Sequence, residues 1–384
     1  MMEPLDLGRV AAAIAAATTP EDLFGLPDGE PQAQLRAAHA AYRRLARVCH
    51  PDLYHEDRAR AVAAHAFAAL AALWAQARAA ITDGRYGRRA TTGGGVVWVC
   101  SPRRTYCVGE RIAAGAVAAL YRGACQDGAL GEVLLKVARR PAENDLLENE
   151  AAALHAIGAA PLHERYGPYF PTLLEDFAYR DPAGVVRRVN VFGWMPGLYS
   201  LAEVAAHYPR GIDARDMAWI WRRLLVALGV AHRAGVIHGA VLPAHVLVLP
   251  AEHGLILIDW CYAVTAGGGH VAALPAGYRG WYPPEVLAKG AASAATDIYL
   301  AARTMLALLG GDPRSAEMPP SVPGLLRAHL RACLLASPRQ RPDDAWALRE
   351  TFDDVIERLW GPRAFHPFAM PPTRASGSGA RGAL

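Results

Sequence analysis

Only two lysines occur in this 384-residue chain, Lys136 and Lys289; every other strongly basic side chain is arginine. Lys136 sits in the middle of an apolar run, Val133-Leu134-Leu135-Lys136-Val137, where a buried ammonium needs an anionic partner. Glu150, in a helix expected over 144–157, is the natural one; a lysine on an edge strand reaching solvent is the plainer alternative. Farther on, two apolar runs flank the turn from Pro250 to Gly254 and read as a tight antiparallel pair. Polar residues stand at the ends of this pair: His238 and His245 before it, Asp259 after it. Between the two histidines lie Ala240 and Leu242, and an alanine methyl cannot accept a proton. A third constellation, His50-Pro51-Asp52, follows a segment carrying Arg36, Arg43, Arg44 and Arg47.

The elements that must position these residues fall into two kinds. Residues 1–18 form an apolar lead-in, and Thr19-Pro20-Glu21-Asp22 reads as a capped helix start. A helix is predicted over 32–48, with Leu35, Ala38, Tyr42, Leu45 and Cys49 on one face and the arginines on another. Pro51 stops it. A longer helix over 56–81 carries Ala63, Phe67, Leu70, Trp74, Ala77 and Ile81 as its buried stripe, and Gly84 closes it. Residues 85–95 read as a flexible linker. From Val96 the pattern turns to strands, predicted over 104–113, 117–123 and 131–138, with a later one at 189–197 and a helix over 213–234. The Pro-, Ser- and Gly-containing end, 362–384, reads as a disordered tail.

Two helices joined by a loop carrying His50-Pro51-Asp52, preceded by Phe24-Gly25-Leu26-Pro27, resemble a J-domain over residues 19–84. The resemblance implies that His50, Pro51, Asp52 and the arginines Arg36, Arg43, Arg44 and Arg47 bind a DnaK-type seventy-kilodalton heat-shock chaperone and stimulate its ATPase. Cys49 stands where an aromatic is usual, and neither a Gly/Phe-rich segment nor a cysteine-rich zinc region follows.

The stretch from His238 to Trp260 resembles the catalytic loop and metal-binding turn of protein kinases. In that family a loop Asp accepts the substrate hydroxyl proton, an Asn holds one magnesium and a later Asp holds another. Those places fall here on Ala240, His245 and Asp259, and the loop lysine on Leu242. The phosphate-covering loop keeps only Gly115 of three glycines, with Ala113 and Ala118 at the others. The resemblance makes Lys136 and Glu150 the pair that positions the α- and β-phosphates, and puts Phe192 near the place where its bulk crowds an adenine. Segments around Glu285, Asp297 and Arg341 match, in order, the family's structural ion pair and its loop-anchoring Asp.

The implied architecture is multidomain: an all-α J-domain hairpin, then an α+β bilobal kinase-like domain over 96–361, with lobes at about 96–192 and 197–361. The expected nucleotide site is Gly115, Lys136, Glu150 and Asp259, taking ATP with magnesium on Asp259; the nitrogen of His245 is a poor match for that hard ion. Glu285, Asp297 and Arg341 are expected to be structural. With Ala240 at the base position, the domain is read as no enzyme. It is expected instead to be a nucleotide-gated adaptor for an unknown protein client, delivering it to the chaperone. The alternative is an active atypical serine/threonine kinase recruited to that chaperone. A third reading drops nucleotide and leaves Lys136, Glu150 and Asp259 as a structural polar cluster.

Composition narrows the partners. A net charge of +4 argues against a general nucleic-acid footprint. Six scattered cysteines without a C-x-x-C pair predict reduced thiols, no zinc and no structural metal. No apolar run is long enough to span a bilayer, and acids precede the apolar stretch at 10–17, so neither a membrane partner nor a signal peptide is expected and the chain is read as cytoplasmic.

Overall fold

The computed structural model describes residues 6–17, 20–25, 31–54, 56–82, 86, 97–126, 128, 130–181, 184–265, 269–275, 277–362 and 364–370. The expected cap at Thr19, the Leu26-Pro27 pair, Gly84, most of the linker at 85–95 and the tail beyond Met370 lie outside them. The chain divides into two compact units, Met1–Gly95 and Val96–Leu384.

The first unit is helical: α1 (Leu7–Ala16), α2 (Glu21–Phe24), α3 (Pro31–Cys49) and α4 (Asp57–Thr82), with a 3-10 turn at Pro51–Leu53. Asp6 caps α1 by accepting from the Arg9 amide at 2.8 Å, and α1 buries Val10 and Ile14 against the hairpin. Ala38 and Cys49 of α3 and Ala63, Leu70, Ala77 and Ile81 of α4 are fully buried, at the helical spacing read from the sequence. Trp74 stacks on both His39 and Tyr42 and meets Phe24 edge-on. The Tyr86 hydroxyl donates to the Gly25 carbonyl at 3.0 Å, tying the end of α4 back to α2.

The second unit opens with a six-stranded antiparallel sheet. In chain order it contains β1 (Val97–Cys100), β2 (Thr105–Ala114), β3 (Ala118–Cys125), β4 (Glu132–Ala138), α5 (Asn144–Gly158), α6 (His163–Tyr166), β5 (Leu173–Arg180) and β6 (Val186–Gly193). The strands lie in the order β1-β2-β3-β4-β6-β5, so β4 is interior and Lys136 is not on an edge. Alternation sends Val133 and Leu135 to one face, among Tyr106, Phe177 and Val191, and Lys136 to the other, towards α5.

A mainly helical half follows: β7 (Tyr199–Ser200), α7 (Leu201–His207), α8 (Ala214–Arg233), β8 (Val236–Ile237), β9 (Val246–Leu249), β10 (Gly254–Leu257), β11 (Val264–Thr265), α9 (Pro284–Leu287), α10 (Ala294–Leu308), α11 (Gly324–Cys333) and α12 (Ala345–Trp360). β9 and β10 pair antiparallel across the Pro250–Gly254 turn as expected, in a three-stranded sheet ordered β10-β9-β7. The disordered tail expected from Pro362 fails over 364–370, where the chain packs on this half. Phe365 stacks on His253 at 4.3 Å, His366 Nδ1 meets Asp216 Oδ1 at 2.7 Å, and Phe368 is buried against Trp219 and Tyr208. Among the described residues, no helix is long and apolar enough to cross a membrane.

Candidate functional site

Lys136 and Glu150, 14 positions apart, meet Asp259 from far along the chain. The Lys136 ammonium lies 2.8 Å from Glu150 Oε1 on α5 and 2.6 Å from Asp259 Oδ1 after β10. Burial alone would depress the ammonium's pKa, but Asp259, Cys261 and Glu150 around it hold it well above the ordinary lysine value. Burial likewise works to raise the Asp259 carboxyl, and the adjacent Lys136 ammonium and His245 ring hold it well below the usual range. Both side chains are therefore ionised at neutral pH.

Residues that sequence reasoning did not single out complete the frame. Asn190 on β6 stands opposite Lys136 in the ladder and donates to Glu150 Oε2 at 2.9 Å and to the Leu147 carbonyl at 3.0 Å. Asn149 on α5 donates to the carbonyls of Cys261 and Ala263 at 3.0 and 2.7 Å, fixing the Asp259-Trp260-Cys261 turn against the helix. Cys261 Sγ lies 3.3 Å from the ammonium, and burial pushes its thiol well above the ordinary value. Glu150, Asp259 and Cys261 could share a metal by proximity, but the Lys136 ammonium already contacts a ligand atom of each and supplies the positive charge there.

Asp259 has φ 64° and ψ 59°, a left-handed conformation that is costly for a residue with a side chain. Trp260, fully buried and donating to the Leu257 carbonyl at 2.9 Å, locks the turn that imposes it.

The loop from His238 to His245 is held from beneath by Asp297 of α10. Its carboxylate accepts from the amides of His238 and Gly239 at 2.7 and 2.8 Å and contacts His232 Nε2 at 2.9 Å. Gly239 has φ 73°, and a Cβ there would stand 2.6 Å from the Tyr262 carbonyl, so the backbone requires glycine. His238 Nδ1 accepts from the Ala240 amide at 3.2 Å and Nε2 donates to the Ile258 carbonyl at 2.9 Å; burial lowers its pKa to about 4, so it is a neutral structural ring. His245 is placed differently. Its Nδ1 meets the Ala240 carbonyl at 2.8 Å and its Nε2 lies 3.0 Å from Asp259 Oδ2, which makes it part of the charged cluster rather than only a packing residue. Ala240 and Leu242 are fully buried.

Gly115 lies in the β2–β3 turn, where its amide donates to Ala118 and its carbonyl accepts from Arg139 Nη1, both at 2.9 Å. Phe192 is buried on β6. Glu285 and Arg341 form a bidentate pair at 2.6 and 2.9 Å, with the guanidinium over the Tyr299 ring. In the first unit, His50 Nδ1 accepts from the Asp52 amide and its ring meets Phe67 edge-on. Arg36, Arg43, Arg44, Arg47 and Asp52 are exposed, and Arg43, Arg47, His50, Leu53 and Phe67 line a shallow groove.

No family model matches the chain. It is similar to the serine/threonine-protein kinase PknK of Mycobacterium bovis, with 30% identity over 210 residues, 53% of this chain and 17% of the relative. It is also similar to the serine/threonine-protein kinase F of Synechocystis, with 30% identity over 174 residues, 43% of this chain and 34% of the relative. The chain thus spans about a sixth of one relative and a third of the other. These likenesses overturn the expectation, drawn from Ala240, that the domain is no enzyme. The physical reason is that phosphoryl transfer depends mostly on positioning and charge, so a missing base does not by itself remove the reaction. What the likeness and the α+β architecture together show is that this chain carries a protein-kinase-like domain.

Proposed function

We propose that the second unit is an atypical serine/threonine phosphotransferase that uses ATP with a divalent cation. The observation that carries this reading is the Lys136–Glu150–Asp259 cluster, built from β4, α5 and the turn after β10. A purely structural cluster has no need of the strained backbone at Asp259, and such strain concentrates at working sites.

The geometry supports a role for each residue. Glu150, fixed by Asn190, holds the Lys136 ammonium in place to neutralise phosphate oxygens. Asp259 and His245 present a carboxylate oxygen and a ring nitrogen side by side, a donor pair that fits a divalent cation. When bound, the cation–nucleotide complex supplies the transferable phosphoryl group and part of the charge neutralisation. The Gly115 amide closes the β2–β3 turn on the Ala118 carbonyl, and Arg139 ties that turn to the end of β4. Ala240 offers no proton acceptor, so catalysis rests on the charges of Lys136 and Asp259, and turnover is slow. Incorporation of the terminal phosphate of ATP into protein serine or threonine tests this. Lys136→Met should lower the rate about 100-fold or more, as loss of an oriented cation does. A wild-type rate no higher than that of Asp259→Asn would overturn the reading.

The first unit supports a second role, a J-domain that recruits a DnaK-type chaperone to the phosphotransferase. His50 and Asp52 of its His50-Pro51-Asp52 loop are exposed, as are the arginines of α3, and Arg43, Arg47, His50 and Phe67 line a common groove. An acidic segment of a chaperone fits such a basic face. Asp52→Asn should abolish stimulation of the chaperone's ATPase while helix content stays unchanged. Undiminished stimulation would remove this role.

A further inference from the structure

Four arginines line one cavity of about 260 Å³ in the second unit, and none of them belongs to the Lys136 cluster. α8 contributes Arg222 and Arg223, α6 contributes Arg165, and α12 contributes Arg349. On α12, Trp346, Arg349 and Asp353 fall at i, i+3 and i+7, which is one face of the helix. Arg222 pairs with Asp353 through two nitrogens, and Arg349 reaches the same carboxylate at 3.9 Å. Among the described residues, Arg165 and Arg223 have no carboxylate partner, and no acidic side chain lines the cavity. Positive charge is in excess there.

Aromatic rings hold these guanidiniums in place. Arg165 lies 5.3 Å from the centre of the Tyr166 ring and Arg349 5.8 Å from that of Trp346. Arg223 donates to the Tyr169 hydroxyl at 2.6 Å, in the 3-10 turn Gly167–Tyr169 that follows α6. A planar fork already oriented in this way loses less freedom when it meets an acceptor. Each guanidinium has five N–H donors, so Arg165 and Arg223 keep donors for an incoming anion. Both are exposed, which leaves the cavity open to solvent.

We infer that this cavity is an effector site for a phosphate monoester. Guanidinium forks match phosphate oxygens bidentately, and such charge-assisted bonds are the strong ones. The volume falls short of the roughly 300 Å³ at which pockets for drug-sized ligands begin, so it suits one phosphoryl group and its ester arm rather than an extended ligand. α6 begins five residues after the end of α5, the helix that carries Glu150. A phosphate gripped by Arg165, Arg223 and Arg349 therefore fastens α6 and its following turn to α8 and α12. The ester comes from a phosphorylated serine or threonine of a protein or from a nucleoside monophosphate, and both present the same dianion. The binding is independent of the phosphotransfer reading, because the two sites share no residue.

The test titrates the full chain calorimetrically with a phosphoserine tripeptide, AMP and inorganic phosphate, beside Arg165→Gln/Arg223→Gln. A monoester should bind the wild type about tenfold or more tightly than the double variant, as loss of charge-assisted bonds does. Arg165→Gln alone, at an exposed position, should weaken binding about threefold or more and serves if the double variant does not fold. In the wild type, deuterium exchange over residues 163–169 should slow when the monoester is bound. Tighter binding of the tripeptide assigns the site to a phosphorylated protein, and tighter binding of AMP assigns it to a nucleotide. Equal affinities in wild type and variants, unchanged exchange over 163–169, or binding of inorganic phosphate with neither ester would overturn the inference.

Discussion

Lys136 and Asp259 stand 123 positions apart in the chain and meet at 2.6 Å. Lys136 was legible in the sequence because the chain has almost no other lysine and sets this one within an apolar strand. Asn190, in Val189-Asn190-Val191, carries the same kind of signal, a polar residue inside an apolar run. Its partner was not legible, because Glu150 reaches it only through the β4–β6 pairing, a long-range choice that local pattern does not encode. The histidines show the same limit: His238 and His245 look alike in sequence, and only their surroundings make one a neutral strut and the other a member of the charged site. Burial also sets a pH dependence at His238 and His329, each lowered to about 4. His329 accepts from the Trp221 indole at 3.2 Å and lies 4.8 Å from the Phe352 ring, so its neutral form is the folded form. Folded pKa values below the unfolded value mean that the unfolded chain binds more protons. The stability of the second unit is therefore full above about pH 6.5 and declines as pH falls towards 4, by about 1.4 kcal/mol per pH unit for each ring. His329→Gln, which keeps an acceptor but does not titrate, should shallow that decline by one ring's share in urea unfolding followed across this range. Equal slopes in the two proteins would contradict it.

At the scale of elements, period and alternation carried most of the architecture. The burial of α3 and α4 follows their apolar spacing, and β4 sends Lys136 to the α5 side because strand neighbours alternate. β5, over Leu173–Arg180, was missed: Glu175, Asp176 and Arg180 interrupt its apolar pattern. Glu175 is nonetheless buried, accepting from the Tyr106 hydroxyl at 2.6 Å across the sheet. The packed segment at 364–370 was missed because proline and small residues dominate that end, while Phe365, His366 and Phe368 are the residues that anchor it. The joint between α9 and the chain before α12 rests on Glu285 and Arg341. The guanidinium is wholly buried and Thr296 adds a bond at 3.3 Å to the same carboxylate. Arg341→Met would strand the carboxylate and should cost about 3–5 kcal/mol in denaturant unfolding. The double variant Glu285→Leu/Arg341→Met should recover part of that loss, because the stranded charge is gone. A loss under about 1 kcal/mol for the single variant would show that the pair is solvated as at a surface.

At the scale of the whole molecule, two compact units share the chain, and their combination exceeds what either relative's matched region describes. The proposed division of labour gives the helical unit recruitment and the kinase-like unit chemistry, so each can be disabled separately. The account stands or falls on whether the Lys136–Glu150–Asp259 cluster holds nucleotide. The most direct measurement is thermal unfolding of the full chain with and without saturating ATP and a divalent cation, beside Asp259→Ala. At a hundred times Kd, ligand binding stabilises by about 2.7 kcal/mol, roughly 5–10 °C for a unit of this size. The account predicts that rise in the transition of the second unit of the wild type and its loss in Asp259→Ala. A wild-type transition that does not move, or one that moves equally in the variant, would contradict it.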